Sequence, residues 1–185
     1  VLHSLHYRAV AVSEPRPGVP QFMVMGYLDG IPFQRYDNER HRTEPQTPWM
    51  AARVEPEYWD RETKIDETYL NRDIMELERL QGRISMGLIP PHPGLHMLQR
   101  VCGCDLLSDG SILGYERHGY NGQDFISFDL GSGRFVAAHG AAQFTKRRWE
   151  SDGITVSVLK NYLEHTCVEV LNKYVGYGRE TLERK

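Results

Sequence analysis

The chemistry this chain could perform turns first on three cysteines. Two stand one glycine apart in VCGCDLLSDG, as Cys102 and Cys104, and the third is distant, in NYLEHTCVEV, as Cys167. An odd number permits one intrachain bond and leaves one thiol over. In a strand, residues i and i+2 face the same way, so either Cys102 or Cys104 could reach a helix carrying Cys167. A nucleophilic role gains no support, because a helical His165 and Cys167, two apart, face different directions. No Gly-x-Ser-x-Gly, His-Glu-x-x-His, phosphate loop or dinucleotide fingerprint occurs. His92 and His96 could chelate a metal only with partners the sequence does not name. The chain reads as a binding protein rather than an enzyme, with neither metal nor cofactor called for.

A single domain is the economical reading of 185 residues, enough to bury one substantial core. The hydrophobic share of 40% and charged share of 25% exclude a disordered or fibrous chain. A net charge of −3 argues against a generic nucleic-acid or anionic-membrane binder. No apolar run approaches the length of a membrane span, and the first residues do not read as a signal peptide.

The elements that must position these residues come in two similar sets. GIPFQRYD at 30 to 37 and GQDFISFD at 122 to 129 share Gly-x-x-Phe-x-x-(Tyr/Phe)-Asp, each preceded by Gly-Tyr. A strand-like run precedes each copy, HSLHYRAVAV and LHMLQRVCGC, and a helix-like stretch opened by a tryptophan-acid pair follows, at Trp59-Asp60 and Trp149-Glu150. In YWDRETKIDETYLNRDIMELERL one face carries Ile65, Tyr69, Arg72, Glu76, Arg79 and Arg83, and another Leu70, Ile74, Leu77 and Leu80. In VSVLKNYLEHTCVEVLNKY, Leu159, Leu163, Val170 and Tyr174 keep a similar spacing. Strands then a helix, twice, predicts an α+β fold with helices gathered on one face of an antiparallel sheet. The Pro/Gly-rich GLIPPHPG at 87 to 94 would separate halves 1–90 and 94–185.

Seven segments in order, SLHYRAVAV, GVPQFMVMGYLDG, EPEYWDRET, GCDLLSDGS, GYNGQDFISFD, TKRRWE and YLEHTCVEVLNKYV, resemble the membrane-distal platform of the MHC class I heavy chain. The likeness covers essentially the whole chain. It implies an eight-stranded antiparallel floor, two long antiparallel helices above it, and a ligand groove between them. It also implies a Cys104–Cys167 bond from floor to helix, leaving Cys102 a free thiol on the groove floor, by default a small buried hydrophobe.

The resemblance assigns roles along the groove. Tyr7, Tyr58, Tyr162 and Tyr174 match the tyrosines that hold a peptide amino terminus, a task suited to phenol hydroxyls. Arg83, Thr145, Arg148 and Trp149 match the carboxylate end, where two guanidiniums and a hydroxyl can grip a carboxylate; arginine at the first of these resembles avian and other non-mammalian chains. The alternative for Arg83 and Arg148 is pairing with helix glutamates. Ile65, Tyr69, Arg72 and Glu76 would line the first wall, and Ala9, Leu98, Arg100, Cys102, Glu116 and His118 should point up from the floor. The charged trio Arg100, Glu116 and His118 must be paired or solvated, either as an internal network or against a polar ligand group.

The implied function is display of a short peptide to T-cell receptors at the cell surface, on the extracellular side of the plasma membrane, with β2-microglobulin beneath the sheet. The anchor and a membrane-proximal immunoglobulin domain are not among these residues. Departures from the pattern favour two alternatives: presentation of a lipid or small metabolite, or an empty groove recognised by a natural-killer-type receptor. Val170 stands where tryptophan usually follows TCVE, the connector is longer, and residues 84 to 88, ISMGL, lack the usual glycosylation sequon. The second helix carries an extra residue near Ser151 to Ser157, where Gly153 weakens it. Thr43 stands where a metabolite-presenting relative has its ligand-capturing lysine.

Overall fold

The structure, a computed structural model, describes residues 1–14, 16–85 and 96–182; the connector at 87 to 94, with His92, lies outside them. Eight strands form one antiparallel sheet: β1 (His3–Val12), β2 (Phe22–Leu28), β3 (Ile31–Asp37), β4 (Glu44–Pro45), β5 (Met97–Leu106), β6 (Ile112–Tyr120), β7 (Gln123–Asp129) and β8 (Arg134–Ala137). Their order is β4-β3-β2-β1-β5-β6-β7-β8, so each set of four runs outward from the central β1–β5 pair.

The repeated Gly-Tyr and Gly-x-x-Phe segments are one hairpin built twice. Asp29-Gly30 and Asn121-Gly122 each place two residues at positive φ, 52° and 82° in the first and 52° and 81° in the second. That is the two-residue turn whose twist suits flanking strands, and glycine takes its second position without steric cost. Each hairpin also shifts register just before the turn, at Gly26/Tyr27 and at His118/Gly119.

Two helical walls cross one face of the sheet. The first is α1 (Pro48–Arg53) followed by α2 (Pro56–Ser85), whose opening proline suits a position with no intrahelical N–H partner. The second wall is the helix the sequence predicts, broken where Gly153 weakens it and again at a π-helical turn. It comprises α3 (Ala142–Ser151), α4 (Thr155–Asn161), a π-helical turn (Tyr162–Thr166) and α5 (Cys167–Leu182). Trp149 therefore sits in the last turn of α3 and does not open the helix that follows. Between α3 and α4, Gly153 adopts φ 74°, and the Asp152 carboxylate accepts the backbone N–H groups of Ile154 and Thr155 at 2.8 Å each, capping the new helix.

The π-helical turn has a packing cause. Leu159, Leu163, Cys167 and Leu171 are all buried against the sheet, at successive steps of four. In a regular helix each such step drifts about 40° around the axis. A wider turn absorbs the drift and keeps the stripe facing down. Leu163 then lies so near β6 that a Cβ on Gly114 would come within 2.9 Å of its own.

Cys104 on β5 and Cys167 at the start of α5 are joined, their Cα atoms 6.2 Å apart, and Cys102 is free and buried. Replacing both bonded cysteines with alanine is expected to cost about 2–5 kcal/mol, a loss of roughly 5–15 °C in melting temperature. Thermal unfolding of the double variant checks this, and an unchanged transition would show that the bond does not hold the wall.

Candidate functional site

Four tyrosines gather at one end of the groove between the walls. Tyr7 rises from β1, Tyr58 stands in the first turn of α2, Tyr162 opens the π-helical turn, and Tyr174 lies on α5. The Tyr58 hydroxyl donates to Gln34 Oε1 at 2.6 Å, so the Tyr174 hydroxyl, also 2.6 Å away, is the donor of that pair. Tyr58 and Tyr174 are thus satisfied inside an aromatic cluster with Trp59 and Phe33. Tyr7 and Tyr162 instead face an open cavity. Burial pushes all four phenols up, with the charge of Glu62 adding to it, so they act as neutral hydroxyls.

That cavity has a volume of about 230 Å³. Its floor is Tyr7, Val24, Arg100 and Cys102; α2 contributes Glu62, Ile65, Asp66 and Tyr69; the second wall contributes Tyr162, Thr166 and Val170. Val170, which replaces the tryptophan of the resembling pattern, is therefore part of the wall. Burial holds the Cys102 thiol well above its ordinary range, and Cys167 is committed to its disulfide, so neither offers a thiolate nucleophile.

The apolar face of α2 read from the sequence is buried at Leu77 and Leu80, and three acids share that buried surface. Asp66, Asp73, Glu76, Leu77 and Leu80 point down, whereas Ile65 is 47% exposed and Arg79 lies outward. Leu70 and Ile74 pack at the edge of the core as partly buried residues. A count of apolar residues finds Leu77 and Leu80 but does not register two buried aspartates. Glu62, Asp66 and Asp73 repeat at four and seven, the one signal that could have placed them.

Both aspartates are buried because each has a partner. Arg100 donates from Nε and Nη2 to Asp73 Oδ2 at 3.2 and 3.1 Å, and its guanidinium lies over the Tyr69 ring at 4.3 Å. Glu116 Oε1 meets His118 Nε2 at 2.7 Å. Burial works against the Glu116 charge, yet the hydrogen bond and charge of His118, then Arg100 and Arg72, hold it at about 2. The charged trio of the floor is therefore an internal network that recruits Asp73. Asp66 Oδ2 accepts the Thr43 hydroxyl at 2.7 Å. Its carboxyl is pushed up to about 7 by burial and by Glu62, with Thr43 and Arg100 offsetting part of the effect.

Towards the other end, among the described residues, the two walls touch. Glu76 on α2 forms an ion pair with Arg148 on α3 and also accepts Arg79 at 2.9 Å. Arg72 lies over the Trp149 ring at 5.5 Å, and that ring packs 5.1 Å from both His118 and Phe135. The space left beside Thr145 and Trp149 is about 10 Å³. Arg148 thus faces a helix glutamate, the alternative noted for it, while the side chain of Arg83 lies outside the described residues. His96 is occupied just before the start of β5, 3.1 Å from the Tyr120 hydroxyl. Among the described residues no group of His, Cys, Asp and Glu is arranged to hold a metal.

Asp66→Asn tests the buried carboxyl. The folded carboxyl titrates near 7 against 3.8 when unperturbed, so stability declines as pH rises from 4 to 7 and levels off above. The variant is expected to gain on the order of 3 kcal/mol at pH 8 and almost nothing at pH 4. Equal melting temperatures of the two proteins at pH 8 would contradict the assignment.

Residues 1–182 match the family described as class I histocompatibility antigen, domains alpha 1 and 2. The chain is 40% identical over 182 residues to the rat major histocompatibility complex class I-related protein 1, covering 98% of this chain and 51% of that one. It is 41% identical over 184 residues to the chicken class I histocompatibility antigen, F10 alpha chain, covering 100% of this chain and 52% of that one. The mouse class I-related protein 1 is 40% identical over 182 residues, 98% of this chain and 52% of its own. The chain thus spans about half the length of these relatives. The eight-stranded floor, the paired walls and the extent of these matches agree: the chain belongs to the MHC class I family as its alpha 1 and alpha 2 domains.

Proposed function

We propose that this chain is the ligand-binding platform of a cell-surface, antigen-presenting class I-like molecule, and that its ligand is compact and seated at the tyrosine end. The observation that carries the reading is the uneven groove: about 230 Å³ beneath Ile65, Tyr162 and Val170, against about 10 Å³ beside Trp149. An extended peptide of six residues needs about 20 Å of open trough, and the Glu76–Arg148 and Arg72–Trp149 contacts cross that path. The volume lies just below the ~300–1,000 Å³ of drug-sized sites, a fit for a small molecule or the head of a larger one.

Peptide display is the second reading, favoured by the gathered tyrosines and by Arg148, Thr145 and Trp149 standing together on α3. Release of Arg148 from Glu76 would free a guanidinium for a carboxylate. The sheet face away from the helices supports a β2-microglobulin partner, since Val10, Met23, Met25 and Tyr27 stand half-buried on it beside His6 and Arg8, a mixed apolar and polar surface. A T-cell or natural-killer-type receptor would read the upper surface of the walls. The role is recognition rather than catalysis. We also propose that the two sets of four strands with their walls act as a single platform, with any immunoglobulin domain and membrane anchor in the remaining half seen in the relatives. Among the described residues no helix is long and apolar enough to cross a membrane.

Acid elution of the full-length protein from cells, followed by mass spectrometry, separates these readings. Compact molecules of defined mass are expected. A ladder of peptides sharing terminal residues would favour the second reading, and an empty eluate would favour a receptor ligand with no cargo. Glu76→Gln is expected to lengthen the eluted species, because it removes the charge that holds Arg148 across the groove.

A further inference from the structure

The sheet face away from the helices carries a row of arginines. Strand register sets Arg35 opposite Met25, Met25 opposite Arg8, Arg8 opposite Val101, and Val101 opposite Arg117. Residues opposite one another point to the same face. Arg35, Arg8 and Arg117 therefore stand in one line across β3, β2, β1, β5 and β6, with half-buried Met25 and Val101 between them. Neighbouring arginines are two strands apart, about 9–10 Å. Asp37 answers Arg35 at 3.3 Å. Arg8 and Arg117 are exposed, and among the described residues neither has an acid within ion-pair distance. Arg8 donates from Nε to His6 Nε2 at 3.4 Å, and its guanidinium lies 6.0 Å from the Tyr27 ring. The Arg117 guanidinium is placed in the same way, 5.4 Å from the ring of Tyr115. The acid of β5 on this face, Asp105, lies four residues beyond Val101, about 13 Å along the strand, and accepts the Tyr115 hydroxyl at 3.3 Å.

We propose that the partner seated on this face meets it with carboxylates, one on Arg8 and a second on Arg117, and closes over Val101 between them. This rests on the reading that the face is the seat of β2-microglobulin, and it names the chemistry of that contact. A guanidinium covered without an acid loses its water and gains no charge in return, so a partner that covers both arginines must answer both. Each of them has a tyrosine ring beside it that limits where the planar fork can point, and a fork so placed can take a carboxylate with two hydrogen bonds. The chain as a whole carries −3, so the row is a local reversal of sign that draws an acidic surface to this face. A phosphate surface fits less well, since Asp105 and Asp129 stand on the same face and would repel it.

The test titrates immobilised full-length chain with β2-microglobulin of the same organism in about 50 mM and about 500 mM sodium chloride. Arg8→Gln and Arg117→Gln are each expected to weaken binding about tenfold at the lower salt and much less at the higher. Arg8→Lys and Arg117→Lys, which keep the charge, are expected to retain most of the affinity, and Arg35→Gln, whose arginine already has Asp37, to lose the least. Among single Asp→Asn and Glu→Gln variants of β2-microglobulin, one is expected to be non-additive with Arg8→Gln and a different one with Arg117→Gln. If wild type binds and the glutamine variants bind equally well, or if every pair is additive, the carboxylate contacts are refuted while the seat stands. If wild type binds no β2-microglobulin at either salt, both fail. Capture of phosphatidylserine vesicles through Arg8 and Arg117, with β2-microglobulin indifferent to both, also overturns the proposal.

Discussion

The pairing of β1 with β5 is the constraint on which the rest of the molecule depends. Ten successive residue pairs, from His3 opposite Leu106 to Val12 opposite Met97, join two sets of four strands into one floor. Because side chains alternate, that register decides which residues look up together: Leu5 with Cys104, Tyr7 with Cys102, Ala9 with Arg100. A slip of one residue would turn Arg100 and both cysteines to the opposite face. The disulfide, the cavity floor and the reach of Arg100 toward α2 all follow from this one ladder.

Buried charge on the floor is tolerated only because α2 brings its own. Arg100 alone beneath a roof would carry a heavy desolvation cost, and Asp73 answers it in a contact that also stacks on Tyr69. Glu116 and His118 answer each other beside them. The Arg100–Asp73 pair ties α2 to β5, and with the Glu116–His118 pair on β6 it divides the groove. On one side lies the cavity with Asp66 and Glu62; on the other, Trp149 fills the space between Phe135, His118 and Arg72. The shape of the site is thus a by-product of charge compensation as much as of apolar packing.

The second wall owes its breaks to the same sheet. Its attachment points, Leu159, Leu163, Cys167 and Leu171, must all face down, and a regular helix cannot present residues four apart indefinitely. The π-helical turn resolves that conflict and sets Tyr162 and Thr166 at the cavity edge. The glycine break at 153 lets α3 turn independently, which brings Arg148 to Glu76. Local irregularity in the wall therefore determines how open each end of the groove is.

Much of this architecture was written in local sequence. The paired Gly-x-x-Phe hairpins, the strand alternation around Cys102 and Cys104, and the long period of α2 are short-range properties, carried by turn glycines and by side-chain spacing. With the family likeness they sufficed for the floor, the walls and the four tyrosines. Only the tertiary structure decided the rest. The burial of Asp66 and Asp73 was hidden because their partners, Thr43 and Arg100, lie 23 and 27 residues away. Arg148 could be assigned to a carboxylate or to a glutamate until the distance between two helices was known. A sequence records which side chains a chain has; which of them meet across a groove depends on contacts between residues far apart along it.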